Sequence, residues 1–260
     1  MIDSGPARSD PVKTAARTLD VFEVFAQSRK PLTLTELASR LGSPVSSCHA
    51  LVRTLQARGY VYILDERKRV YPTKRLFTIA QQLALHDPVL EKIGPVLNAL
   101  QRACGETVIL GKRQGMGITY LDVLESRQTI RYAASPGDTK PLHSSAIGKA
   151  MLGALPEPEM LRLVKRLPLP AVTPHTIVTV AALAEDVRAG QARGWFLTRG
   201  ENVPEVMALA IARSLGEEWY GVAIAGPIGR LGAGQDAAVA ALLDAGAQLR
   251  SIDAELRGQD

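Results

Sequence analysis

Residues 33–57 read TLTELASRLGSPVSSCHALVRTLQA, and this run leaves the chain little choice of local fold. Leu34, Leu37, Ala38 and Leu41 recur at the spacing of one helix face. Thr33, followed three residues later by Glu36, has the form of a capping box that starts this helix. Gly42 stands where a left-handed C-terminal residue is needed. Ser43-Pro44 restarts the chain at once, with Ser43 as a cap and Pro44 in the first helical position, where its missing N–H is harmless. Val45, Cys48, Val52 and Leu55, with Leu51 beside them, form the buried side of the second helix. Ser46, Ser47, His49, Ala50 and Arg53 face outward. Helix, short glycine turn, then a helix with a small polar face is the helix-turn-helix pattern.

The flanking sequence supports a complete head. Residues 14–27 place Leu19, Phe22 and Ala26 on one helical face, widened by Val21 and Phe25. After Gly59, the β-rich runs 60–64 and 70–72 enclose the charged tip DERKR, the pattern of a hairpin wing. Residues 1–76 hold thirteen Lys or Arg and seven Asp or Glu, net +6, whereas the remainder is net −1. The whole basic excess sits in the N-terminal third, the electrostatic footprint of a nucleic-acid-binding head on a near-neutral body. Ser hydroxyls suit base edges or phosphates, and Arg53 suits a phosphate or a guanine. The candidate DNA-contacting residues are therefore Ser43, Ser46, Ser47, His49, Arg53, Arg67, Lys68 and Arg69.

Residues 73–86 read as a connecting helix with Leu76, Phe77, Ala80, Leu83 and Ala84 on one side, broken by Asp87-Pro88. A further amphipathic helix follows over 88–104. Strands are expected at 107–112, 117–124, 129–134, 195–199, 206–211 and 219–225. Helices are expected at 143–155, 157–166, 180–193 and 235–257. The expected class is α+β. The expected divisions are a winged helix-turn-helix over 1–72, a linker helix over 73–87 and a sensor-like domain over 88–260.

The body offers no catalytic pattern. Gly148-Lys149 lacks the first P-loop glycine, because His143 stands there, and Ala150 follows where Ser or Thr would bind magnesium. There is no GxSxG elbow and no HExxH, and the histidines lack metal-ligand spacing. No metal and no cofactor are expected. Two cysteines, Cys48 and Cys104, are too few for a disulfide framework. No run approaches a transmembrane length, and the N-terminus has no apolar signal segment, so a cytoplasmic location without membrane partners is expected.

Head and body together resemble the IclR family of bacterial transcription regulators, over roughly residues 12–250. The head carries the resemblance in LTEL and in LGSPVSSCHALVRTLQARGYV. The body carries it in Leu142-His-Ser-Ser-Ala-Ile-Gly-Lys-Ala150, Thr173-Pro-His-Thr-Ile177, Arg193-Gly-Trp195, Glu201 and Gly226-Pro227. The resemblance implies a winged helix-turn-helix, a linker helix and a GAF-like effector domain. It also implies a double-stranded DNA operator, a small-molecule effector, and a homodimer or dimer of dimers. Ala50 stands where the family usually has Arg, and Glu205 where it usually has Gly. Positions that carry polar groups in relatives binding small keto acids match Thr198, Ala208, Ala223 and Ala225. Three alanines there favour a less polar effector, such as an aromatic carboxylic acid. Helix-start N–H groups at Ser145, Ala146 and Ile147 suit its carboxylate. Tyr120, Arg131, His143 and Met207 complete the candidate lining. An enzyme with an appended DNA-binding head is the competing reading.

Overall fold

The computed structural model describes residues 12–64 and 68–257, which divide into two compact units, one ending at Asp87 and one starting at Pro88.

In the first unit, α1 (Lys13–Ser28) buries Val21 and Phe25, an i,i+4 pair. Leu19, expected inside, is 65 % exposed, and Ala26 is exposed too, because the buried arc is centred on Val21 and Phe25 instead. Helix α2 (Leu34–Arg40) opens with the expected capping box. Thr33 Oγ1 accepts the Glu36 N–H, and the Glu36 carboxylate accepts the Thr33 N–H at 2.7 Å. Those bonds hold the Glu36 carboxyl below its usual pKa. Gly42, at φ +56°, makes the turn.

Helix α3 (Val45–Ala57) buries Cys48, Val52 and Leu55, and Val45 is exposed. Two details differ from expectation. Pro44 occupies the N-cap position, not the first helical one, and Ser43 caps nothing. The Ser43 N–H bonds the Ala38 carbonyl, which ties the residue to the preceding helix, and its Oγ has no partner among the described residues. Strands β1 (Val61–Ile63) and β2 (Val70–Pro72) pair antiparallel as the wing, and Leu32 adds a bridge to Val70. Helix α4 (Arg75–Leu85) exposes Leu76, Phe77, Ala80, Leu83 and Ala84.

The second unit begins with α5 (Pro88–Cys104). Its sheet comprises β3 (Thr107–Gln114), β4 (Gly117–Leu124), β5 (Thr139–Pro141), β6 (Phe196–Arg199), β7 (Val206–Leu215) and β8 (Glu218–Pro227). They order as β5-β4-β3-β8-β7-β6, antiparallel throughout. Side-chain alternation gives the sheet two cores. Val108, Leu110, Leu209, Ile211, Val222 and Ile224 pack with α5 and α10 (Gln235–Arg257). Ile109, Ala210, Ala223 and Ala225 face α6 (Ala146–Gly153) and α8 (Val180–Arg193). Helices α7 (Glu157–Val164) and α9 (Ile228–Ala233) complete the unit.

Small residues let α6 settle on that second face. A Cβ at Gly221 would stand 2.3 Å from Ile147 Cγ2, so the glycine is the seat for Ile147. Phe196 fills a slot whose walls are Gly153 and Gly190, where added Cβ atoms would come within 2.1 and 2.3 Å of its ring.

The expected strand at 129–134 is absent. The β4 edge is taken instead by the segment that ends in β5: Gly137 N–H bonds the Tyr120 carbonyl, Tyr120 N–H bonds the Asp138 carbonyl, and Thr139–Pro141 pair with Gly117–Thr119. Residues 125–135 therefore cross as a strap, its carbonyls held by side chains. Thr107 Oγ1 donates to the Tyr132 carbonyl at 2.6 Å, and Arg230 Nη2 donates to the Ile130 carbonyl at 2.9 Å. Helix α6 also starts at Ala146, later than the expected 143. Among the described residues, no helix is long and apolar enough to cross a membrane.

Candidate functional site

The head presents one polar face. Ser46, Ser47, His49, Ala50 and Arg53 all stand exposed along α3. Among the described residues, no side-chain hydrogen bond occupies Ser46, Ser47, His49 or Arg53, so these groups face solvent ready for an external partner. Ser43 is half-buried behind them. In the wing, Lys68 is exposed in a left-handed conformation at φ +51°, and Arg69 is half-buried. Arg67 lies outside the described residues. Cys48 points inward, and burial pushes its thiol pKa up, which makes it an unreactive core residue.

A partly open pocket, with a free volume of about 30 Å³, lies between the sheet and the start of α6. Its floor is a row of small groups: Thr198 pairs with Ala208, Ala208 with Ala225, and Ala223 lies one pleat further along β8. Ile109 completes the floor, and Val203 and Val206 wall one side. Ser144, Ser145, Ala146 and Ile147 form the α6 wall, and Tyr120 and Tyr132 stand on the β4 side. Ser145 is the helix cap: its Oγ accepts the Gly148 N–H at 3.2 Å and donates to the Pro141 carbonyl. The N–H groups of Ala146 and Ile147 are left at the open end of the helix, where a negative group is favoured. Gly148 allows this tight start, since a Cβ there would lie 2.2 Å from the Leu142 carbonyl oxygen.

Eight expected lining residues meet here: Tyr120, Ser145, Ala146, Ile147, Thr198, Ala208, Ala223 and Ala225. Three do not. Met207 is buried on the opposite face, as strand alternation beside Ala208 requires, with its sulfur 3.6 Å from Arg199 Nη2. Arg131 is exposed and paired with Glu125 at 2.9 Å. His143 is buried behind the wall, with Nε2 3.0 Å from the Pro170 carbonyl, and burial lowers its pKa. Ile109, Tyr132, Ser144, Asn202, Val203 and Val206 were not anticipated. Val206 shares strand parity with Ala208 and Ser144 adjoins Ser145, so those two carried a signal. Tyr132 and Asn202 lie on irregular backbone and carried none.

A buried polar hub braces this wall. Lys149 of α6 is fully buried, with Nζ 2.7 Å from Glu201 Oε1 and 2.9 Å from Asp186 Oδ2. Burial pushes the Glu201 carboxyl up, against the pull of the ammonium. The Glu201 carbonyl accepts from Thr176 Oγ1 and the Gly200 carbonyl from Thr173 Oγ1. Next in the chain, Asn202 donates to Ser144 Oγ at 3.1 Å. The hub thus ties α8 to α6 and to the 200–205 loop, and the latter two line the cavity.

Comparison with known proteins settles the affiliation. Residues 81–251 match the description "Bacterial transcriptional regulator IclR C-terminal", and residues 14–63 match "IclR helix-turn-helix domain". The chain belongs to the IclR family of bacterial transcription regulators. Among IclR-family relatives, the HTH-type transcriptional regulator BhcR of Paracoccus denitrificans is 31 % identical over 243 residues, 93 % of this chain and 86 % of that protein. The transcriptional repressor IclR of Escherichia coli is 30 % identical, covering 85 % and 82 %. A solved IclR homologue from Microbacterium hydrocarbonoxydans, complexed with 4-hydroxybenzoate, shares the fold at TM-score 0.65 and 21 % identity, covering 92 % of this chain and 99 % of that one. This IclR-family chain is therefore a DNA-binding transcription regulator, a helix-turn-helix head with an α/β body.

Proposed function

We propose that this regulator senses an aromatic carboxylic acid or a related catabolite through the cavity at the start of α6, and changes its grip on DNA in response. The observation that carries the reading is the floor of Ala208, Ala223 and Ala225 beneath an open helix start. The alanines supply apolar room, and the N–H groups of Ala146 and Ile147 supply a place for the carboxylate. The aromatic acid in the solved homologue's complex supports the same choice. The body acts as a sensor, a reading supported by relatives that are named as transcriptional regulators and repressors. The protein works in the cytoplasm as a homodimer or dimer of dimers on a double-stranded operator. Ser46, Ser47, His49 and Arg53 meet the DNA groove, and the wing residues Lys68 and Arg69 meet the backbone. The effector acts by population shift, favouring one arrangement of the heads and so one half-site spacing. Calorimetric titration with a panel of aromatic and keto acids tests the effector class. Preference for glyoxylate or pyruvate over every aromatic acid would sink it.

A further inference from the structure

The cavity has hydrogen-bonding groups at two separated ends. Thr198, on the edge strand β6, is buried to 5 % exposure, lines the cavity, and has no partner for its hydroxyl among the described residues. Ser144 and Asn202 stand at the same wall. At the far side, the Tyr132 hydroxyl stands beside that of Tyr120, which burial and this neighbour hold above its ordinary pKa. The sheet register sets the spacing of the backbone beneath these ends. Thr198, Ala208, Ala225 and Thr107 form one row across four strands, so the Thr198 and Thr107 backbones stand about 14 Å apart at the usual strand spacing. Thr107 is the residue that holds the Tyr132 carbonyl. Between these ends the lining is apolar: Ile109, Ala223, Ala225 and Val206.

Tyr132 does not sit on a ladder, so its position needs another cause. The strap that carries it is clamped from below. Arg230 grips the buried Glu106 carboxylate in a fork, Nη2 to Oε2 at 2.7 Å, and spends a further donor on the Ile130 carbonyl. Gly226 makes room for this pair, since a Cβ there would lie 2.5 Å from Glu106 Oε2. Ser126 adds a second anchor, donating to the Gly105 carbonyl at 2.6 Å. A bidentate arginine–carboxylate pair is a rigid support, and here, with Glu106 buried and Arg230 exposed, it fixes a loop whose inward side chain faces the cavity.

We infer that the effector carries a second hydrogen-bonding group opposite its carboxylate, read by Tyr132, with Arg230 as the positioning residue that holds Tyr132 in place. The inference rests on the aromatic-acid reading and narrows it to acids substituted with a hydroxyl across the ring. Calorimetry on the full chain with benzoate, 2-hydroxybenzoate and 4-hydroxybenzoate tests it. The 4-hydroxy acid is expected to bind about fivefold to tenfold tighter than benzoate, the worth of one satisfied neutral hydrogen bond, and the 2-hydroxy acid to gain nothing. Tyr132→Phe is expected to erase that ratio, bringing the 4-hydroxy acid down to the affinity of benzoate for the same variant. Arg230→Gln is expected to shrink the ratio as well, an effect that general loosening of the body would not produce. Equal binding of benzoate and its 4-hydroxy form, or a ratio unmoved by Tyr132→Phe, overturns this inference and leaves the aromatic-acid reading standing. A ratio unmoved by Arg230→Gln alone overturns the positioning role. Failure of all three acids to bind overturns both.

Discussion

Replacing Lys149 with Met removes the only ammonium shared by two carboxylates in the hub. Breaking a buried ion pair by deleting one partner typically costs about 3–5 kcal/mol. The structure permits a sharper figure. Asp186 keeps 28 % of its side chain in solvent, whereas Glu201 keeps 10 % and already has a raised pKa. Without Lys149, protonating Glu201 is the easiest relief. From its usual value of 4.5, neutralising it at pH 7 costs about 3 kcal/mol. The variant raises the folded-state pKa further, so its penalty is full above that pKa and fades as pH falls toward 4.5. The penalty should therefore fall from about 3 kcal/mol at pH 7 to roughly half that at pH 5.5. Urea denaturation followed by tryptophan fluorescence measures it cleanly, because both tryptophans, Trp195 and Trp219, belong to the body. Glu201→Gln in the Lys149→Met background should recover most of the loss at pH 7. A penalty under about 1 kcal/mol, or one that does not change between the two pH values, would refute the reasoning.

Gly190→Ala puts a methyl into the Phe196 ring at 2.3 Å and should destabilise the body by about 1–3 kcal/mol in the same assay; adding Phe196→Leu should restore part of it. His143 is held neutral by burial, so the unfolded chain takes its proton first as pH drops; the body should lose stability as pH falls below about 6.5, and His143→Asn should flatten that slope. Arg53→Ala should weaken specific DNA binding by about tenfold or more in a gel shift, with unchanged urea stability, since the side chain is exposed and makes no hydrogen bond or ion pair among the described residues. If sequence discrimination survives, Arg53 is a phosphate contact only.

Much of the head was legible in the chain because its signals are local. The Thr33–Glu36 box, the Gly42 turn and the Cys48–Val52–Leu55 stripe each depend on residues within one or two turns. Helices α8 and α10 had the same advantage and begin and end at the expected residues. Ser43 misled because capping competes with a bond from its own N–H to Ala38, which periodicity does not reveal. Residues 129–134 have strand-like composition, yet a ladder needs a free edge, and 137–141 occupies that edge. Met207 was named beside Ala208 although adjacent strand residues face opposite ways; parity alone could have removed it. Lys149 could not be anticipated as a buried hub, because a helical lysine is ordinarily solvated and its partners Asp186 and Glu201 lie on distant elements.

Under the proposed function, occupancy of the α6 cavity changes DNA binding. Fluorescence anisotropy on DNA from upstream of the coding region, with and without 4-hydroxybenzoate, tests it most directly when run beside Ala225→Leu, which fills the cavity floor. The unaltered protein should shift its DNA affinity at least severalfold with the acid, and Ala225→Leu should bind DNA without responding. An unaltered affinity across a panel of aromatic acids, or a full response from Ala225→Leu, would contradict the account.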